Sequence, residues 1–216
     1  MRPLHPVKVT SNIAIAPNAW LLTFARQFDF TPGHVIGITL EKGVEPRLYS
    51  IASGKDHHEV CILYTRKPDG VLTPALSEVS QGDTIHVTDP FGNFICREDR
   101  AIWVASGTGI APFASMFFSG QYHNKTLIQG GRTRDTLYFR HFFAKNMGDH
   151  YHPCCSRLAS EGCFHGRVTH YLEGLDHVDT DIPYYLCGTA EMVVDVRDVL
   201  IARGVPFSNI MAEIFF

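Results

Sequence analysis

The sequence predicts two domains in series: an antiparallel β-barrel over residues 1–98, then an α/β domain with a parallel sheet over residues 99–216. Three observations carry this. The first half is a run of short β-branched and aromatic segments, closely spaced and punctuated by Gly, Pro and Asp, the pattern of an antiparallel barrel or sandwich. From Ala101 onward, apolar strands alternate with helical segments, which implies parallel strands joined by crossover helices. The charged stretch Cys96–Arg100 separates the two rhythms.

The elements follow in order. Val7–Thr10 and Ile13–Ala16 are short β-branched runs. Trp20–Phe24 and His34–Leu40 are further strands, separated by Pro32-Gly33. Leu48–Ile51, Glu59–Thr65 and Thr84–Thr88 complete the barrel set. One helix interrupts them over Leu72–Val79, with Thr73 as N-cap and Pro74 at the first helical position. In the second half, strands are expected at Ala101–Ala105, Thr126–Gln129 and Tyr184–Cys187. The alternating helices are Ile110–Phe118, Leu137–Lys145 and Ala190–Arg203, the last stopped by Gly204.

Composition narrows the function classes. Of 216 residues, 45% are hydrophobic and 19% charged, as in ordinary soluble domains, and a chain of this length buries a core without disulfides. The formal net charge of −3 gives no general basic surface for nucleic acid. No apolar run approaches the roughly 20 residues of a membrane span. The segment MRPLHPVKVTSN lacks the apolar core of a signal peptide, so the expected location is cytoplasmic, with its six cysteines reduced. Cys61, Cys96, Cys154, Cys155, Cys163 and Cys187 form neither a CxxC pair nor an iron–sulfur spacing. His150, His152 and Cys154 would share one face of a strand, with Cys155, Cys163 and His165 nearby. Zinc accepts such ligands, but the spacing matches no standard zinc site and no metal is assigned.

Three motifs carry chemistry. In Arg47-Leu48-Tyr49-Ser50, an extended chain points Arg47 and Tyr49 to one side. An arginine fork suits a phosphate and a tyrosine ring suits a flat partner. Gly70-Val71-Leu72-Thr73 turns into a helix N-terminus, whose free N–H groups face an anion. VASGTGIAP, Val104–Pro112, places a glycine turn between a strand and a helix, a common phosphate site. Taken singly, these segments could also be an exposed strand edge, a plain capped helix and a weak G-x-G.

Together, and in this order, RxYS, G-x-x-T before a helix, and GTG with Pro112 after a strand resemble the ferredoxin/flavodoxin–NADP reductases of the compact bacterial type. The resemblance spans nearly the whole chain and implies an FAD-binding barrel followed by an NADP-binding α/β domain. It implies that Arg47 meets the FAD pyrophosphate, Tyr49 stacks on the isoalloxazine and Ser50 sits by its N5, with Leu48 in the same segment. Leu63, Tyr64 and Thr65 would offer backbone contacts to the adenosine side. Gly70, Val71, Leu72 and Thr73 would hold the pyrophosphate. Gly107, Thr108 and Gly109 would wrap the NADPH pyrophosphate and nicotinamide ribose, with Thr108 also near the flavin.

Cys187-Gly188-Thr189-Ala190-Glu191-Met192 resembles the family's C-G-x-P-x-M, with Ala190 in place of proline. It implies Cys187 beside the nicotinamide C4, Gly188 at the ribose and Met192 at the helix start. On its own Cys187 reads equally as a buried structural thiol. Arg132, Arg157 and Arg167, with Arg134 as a fourth, are the candidates for the 2′-phosphate that separates NADP from NAD. The ending Ala212-Glu213-Ile214-Phe215-Phe216 matches the family's A-E-x-Y-W in shape. Phe215 would then cover the isoalloxazine and Phe216 the adenine. Glu213 would relay a proton or orient Ser50 and Cys187, unless it is a surface carboxylate.

The resemblance implies an oxidoreductase that exchanges hydride with NADPH and single electrons with a separate ferredoxin or flavodoxin. Arg26, Lys42, Arg66 and Lys67 are candidates for steering an acidic carrier. Two other readings share the motifs: an NADH-dependent reductase component of an oxygenase, and a flavin- or nucleotide-binding regulator without activity.

Overall fold

The computed structural model describes residues 2–215, with the side chain of Phe215 left out. The chain divides into two units. The first comprises Met1–Ile95 with Ala114–Ser119, the second Cys96–Phe113 with Gly120–Phe216.

The first unit is built on six antiparallel strands: β1 (Leu4–Ala16), β2 (Ala19–Ala25), β3 (Val35–Thr39), β4 (Arg47–Ser50), β5 (Glu59–Thr65) and β6 (Thr84–Thr88). Their order is β4-β3-β6-β1-β2-β5. A single bridge between Ile51 and Ile62, with the Ala52 N–H donating to the Cys61 carbonyl at 2.7 Å, joins the two ends of this order and closes the barrel. Val7, Leu22, Phe24, Ile36, Ile38, Val60, Ile62 and Val87 fill the interior. Alternation explains the filling, since every second residue of a pleated strand points inward.

The two runs expected around Ser11-Asn12 are one strand, β1, with register shifts that absorb the irregular residues. Asn12 is polar for a structural reason. Its amide donates to the carbonyls of Leu76 and Val79, each at 2.8 Å, and its oxygen accepts from the Tyr64 hydroxyl at 3.2 Å. The helix α1 (Thr73–Ser77) is therefore pinned at its end by a strand residue. It is shorter than expected, and Thr73 is not its N-cap. Leu72 holds that position, and the Thr73 hydroxyl instead accepts from the Lys67 N–H at 2.9 Å, closing the loop before the helix.

The second unit carries six parallel strands: β7 (Ala101–Ser106), β8 (Lys125–Gly131), β9 (Tyr151–Cys155), β10 (Phe164–His165), β11 (Tyr184–Thr189) and β12 (Ile210–Phe215). The helices α2 (Ala111–Phe118, of which Ala114–Phe118 counts with the first unit), α3 (Arg140–Met147), α4 (Val168–Glu173) and α5 (Ala190–Ala202) connect them. The order β10-β9-β8-β7-β11-β12 runs outward from β7 to one edge, then restarts on its other side. The switch point lies between β7 and β11, and ligands of open α/β sheets sit at the carboxyl ends of the strands there. Val168 and Leu172 of α4 and Val193, Val196 and Leu200 of α5 cover one face with Val104, Ile128 and Leu186.

The helix expected from Leu137 starts three residues later, at Arg140. A Thr133 capping box closes a short 3-10 turn at Arg134–Thr136, and Phe139 adopts a φ of +62°, which an α-helix cannot contain. The strands β9, β10 and β12 and helix α4 were not assigned from the sequence. Among the described residues no helix is long and apolar enough to cross a membrane.

Replacing Asn12 by Ala leaves two carbonyls and a phenol without their partner. It is expected to lower unfolding free energy by about 2–3 kcal/mol, read by urea denaturation, against about zero for Lys67→Ala at an exposed side chain.

Candidate functional site

In the first unit, β4 is an edge strand that presents its residues in graded fashion. Arg47 and Leu48 are exposed, Tyr49 is half-buried and Ser50 is buried. The Tyr49 ring meets Tyr64 edge-on at 6.3 Å, and Tyr64 stacks with Trp20 at 6.5 Å. Tyr64 is thus a core residue, and this aromatic row braces Tyr49 from behind. Trp20 has this supporting part although the sequence offered no motif for it. Burial raises the Tyr49 phenol to about 12, so the ring stays neutral throughout the physiological range. Leu63 is buried like Tyr64, while Thr65 is exposed. Because β5 is the other edge of the order, alternate backbone groups of Leu63–Thr65 face away from β2.

The turn before α1 is closed by its own bonds, with the Gly70 N–H donating to the Lys67 carbonyl at 2.9 Å. Val71 at its tip is 83% exposed and Leu48 59%. Of the four cations expected to steer a carrier, Arg26 is engaged by the Lys55 carbonyl and by Asp29, and Arg66 donates to Ser77 Oγ at 3.2 Å. Lys42 and Lys67 are exposed.

In the second unit, β7 runs into a 3-10 turn at Gly107–Ile110 and then α2. The two expected glycines act differently. Gly107 takes a φ of +55°, and a side chain there would meet nothing within 4 Å, so the need is conformational and the space beside it is open. A Cβ on Gly109 would lie 2.3 Å from the Cys187 carbonyl oxygen and 2.6 Å from the Gly188 Cα. The turn after β7 is seated on the backbone ending β11. A Cβ on Gly188 would meet Ser106 Oγ and Met192 Cε, each at 2.5 Å. Met192 packs over this glycine at the helix start, and the Met192 N–H donates to Thr189 Oγ1 at 3.3 Å, capping α5. Ser106 joins the site without any sequence signal beyond its place after β7.

Cys187 is fully buried, and β12 brings Glu213 into register opposite it. Burial, with the Glu213 charge beside it, pushes the thiol well above its usual value, so Cys187 is a neutral thiol at pH 7. Phe215 is in register with Thr189, but its side chain and all of Phe216 lie outside the described residues.

The arginines sit at strand ends. The Arg157 N–H donates to the Arg132 carbonyl at 2.9 Å, and the Ser156 N–H to the Gly131 carbonyl at 3.0 Å, so Arg132 and Arg157 are held on neighbouring strand exits. Arg134 is exposed in the next turn. Arg167, at the start of α4, is engaged otherwise: its Nη1 donates to Glu191 Oε1 at 2.9 Å.

Part of the histidine and cysteine cluster comes together, with Cys163 beside Cys155. His150 precedes β9 in a 3-10 turn, His152 stacks on Tyr171 at 5.2 Å, and Cys154 and Cys155 are buried. No group of three His, Cys, Asp or Glu among the described residues could hold a metal ion.

A ferredoxin NADP+ reductase from Neisseria gonorrhoeae, solved with bound FAD and NADP, superimposes with a TM-score of 0.89 over 99% of both chains at 20% identity. The chain has the two-domain fold of the ferredoxin–NADP+ reductases. The expected barrel followed by a parallel α/β domain is this reductase fold, and the motif strands fall at its barrel edges and its switch point. No protein-family model matches the chain. In sequence it is 28% identical, over 200 residues and 88% of its length, to the toluate 1,2-dioxygenase electron transfer component of Pseudomonas putida. It is 26% identical, over 78% of its length, to a component of the Na(+)-translocating NADH-quinone reductase of Yersinia pestis. The chain spans 60% of the first relative's length and 48% of the second's.

Two outcomes follow from this geometry. Gly109→Ala forces backbone apart at the switch point and is expected to lower unfolding free energy by more than about 2 kcal/mol, whereas Gly43→Ala, with nothing within 4 Å, carries only the roughly 1 kcal/mol cost of its positive φ. A neutral buried Cys187 is expected to resist iodoacetamide at pH 7–8 in the native protein and to react once urea unfolds it, read by peptide mass spectrometry.

Proposed function

We propose that this chain is an FAD-dependent reductase that exchanges hydride with NADPH and single electrons with a small carrier protein, ferredoxin or flavodoxin. The observation that carries the reading is the glycine turn of β7 seated on Cys187-Gly188 at the switch point of a parallel sheet. That is where an open α/β sheet receives a dinucleotide. The fold neighbour solved with bound FAD and NADP supports it.

The residues fit the two ligands. On the barrel, Arg47 offers a planar fork to a pyrophosphate, and Tyr49, held by Tyr64, offers a half-buried aromatic face. Exposed Leu48 and Val71 supply apolar cover, and Gly70, Leu72 and Thr73 shape the adjoining turn. Leu63, Tyr64 and Thr65 contribute through the edge backbone of β5. FAD, when bound, supplies the conversion between two-electron and one-electron transfer. In the second unit Gly107 leaves room for a phosphate, and Thr108 stands beside it on the same turn. Cys187 contributes a neutral sulfur rather than a thiolate, so its part is to position the nicotinamide and not to attack it. Glu213 opposite it adds to burial the charge that keeps the thiol protonated. Ser50, buried at the end of β4, is the barrel's hydroxyl for a flavin nitrogen. Arg132 and Arg157 form the 2′-phosphate pair, with Arg134 and Arg167 at the margin.

A second reading is an NADH-dependent reductase component serving an oxygenase or another electron-transfer chain. The Arg167–Glu191 pair favours it, because it leaves fewer cations for a 2′-phosphate, and the names of the two relatives agree with it.

The test is anaerobic reduction of the FAD-loaded protein by each nicotinamide, followed by transfer to ferredoxins and flavodoxins. Faster bleaching by NADPH and onward transfer support the first reading, and faster bleaching by NADH supports the second. A colourless polypeptide that takes up no FAD overturns both. Arg157→Ala is expected to raise KM for NADPH about tenfold or more, the worth of a charge-assisted bond, with KM for NADH changing less than about twofold.

A further inference from the structure

We propose that Glu191 sets the nicotinamide preference of this chain by holding Arg167 away from the 2′-phosphate. The inference rests on the reading of the strand exits as the dinucleotide site. Registers align Gly131 of β8 with Cys155 of β9, and Cys155 with His165 of β10. Arg132, Arg157 and Arg167 therefore follow three neighbouring parallel strands within two residues of aligned positions. Two of them stay at the exits, tied by the Arg157 N–H to Arg132 carbonyl bond at 2.9 Å. The third crosses to the first turn of α5, where Glu191 accepts it at 2.9 Å.

The carboxylate has its own reason to be there. A negative charge in the first turn of a helix is favoured by the helix dipole, so Glu191 stays and the longer arginine follows it. Both side chains are exposed, 59% for Arg167 and 69% for Glu191, so a competing dianion can break the pair at small cost. What the dianion cannot remove is the negative charge of Glu191, three residues past Gly188. Glu191 therefore acts against a 2′-phosphate chiefly by occupying a cation, and its own charge adds a smaller repulsion that remains when Arg167 is removed. It leaves a 2′-hydroxyl untouched. Glu191 touches Arg167 and acts through it, so it is a specificity-determining residue and not a catalytic one.

The test titrates FAD-loaded protein calorimetrically with 2′-phospho-AMP and with AMP, and measures kcat/KM for NADPH and NADH. The variants are Glu191→Gln, Arg167→Ala, the double variant, Arg157→Ala, and Asp198→Asn as a charge control two turns further along α5. Glu191→Gln is expected to tighten 2′-phospho-AMP about three- to tenfold, as freeing one cation for a charged hydrogen bond allows, with AMP unchanged. Arg167→Ala in the parent is expected to change little, less than about twofold, because an exposed pair is worth little and the cation is already engaged. The double variant is expected to lose most of the gain, as coupled partners do. The NADPH to NADH ratio of kcat/KM should rise with Glu191→Gln in step with 2′-phospho-AMP affinity.

Equal affinities for Glu191→Gln and the double variant, or an equal gain from Asp198→Asn, overturn the proposal in favour of bulk charge. If Arg157→Ala loses 2′-phospho-AMP while Glu191→Gln changes nothing, the site stands and the part given to Glu191 falls. If the parent binds neither nucleotide and neither nicotinamide bleaches the flavin, the reading of the site itself fails.

Discussion

The second unit depends on one close approach of two backbones. The turn after β7 rests on the end of β11 so tightly that Gly109 has no room for a Cβ. Protein interiors transmit such contacts because they are packed like crystals. Gly109 fixes where the turn lies, Gly107 lets it bend with φ +55°, and Gly188 lets Ser106 and Met192 close over the strand end. The open side of the turn, at Gly107, is then held from below by packing. Preorganisation of this kind spares binding the cost of ordering a loop. A glycine turn of this pattern is easily credited to a ligand; here Gly109 belongs to the packing beneath it.

The barrel reaches a similar end by leaving something undone. Its strand order begins with β4 and ends with β5, and one bridge, Ile51 to Ile62, joins them. A seam closed by one bridge carries fewer ladder bonds than a fully paired strand, and edge strands must be covered or paired. Both strands of the seam carry the residues assigned to FAD. Under the proposed reading, an extended ligand with phosphates and a flat ring would lie along this seam, where Leu48 is exposed.

The parts legible in the sequence are those set by local chemistry. β-Branched and aromatic runs bounded by turn residues marked β5 and β6 to the residue. The glycine turn was legible because a strand, G-x-G and an apolar helix are adjacent in sequence. What was not legible depends on partners distant in the chain. Ser11-Asn12 read as a break because two polar residues interrupt a strand, yet Asn12 is polar to hold α1, 64 and 67 residues away at Leu76 and Val79. Thr73 has the chemistry of an N-cap, but its hydroxyl was claimed by Lys67. The region from His150 to Glu173 hid two strands and a helix because its histidines and cysteines obscure the apolar period, although Cys154 packs in the core like any hydrophobe.

Arg167 shows the same limit in the site. Its residue type and its place after Gly166 suit a 2′-phosphate, and nothing local says otherwise. Its partner lies 24 residues on, beyond a crossover that only the sheet order reveals. Since α4 and α5 pack side by side on one face, their first turns come together at the carboxyl end of the sheet. Two side chains whose identities favour opposite nicotinamides thus meet there. An arginine alone would argue for a phosphate and a carboxylate alone for a ribose diol. Joined as a pair, they neutralise each other, and under the proposed reading dinucleotide choice falls to the balance between Glu191 and the two arginines on the exits of β8 and β9.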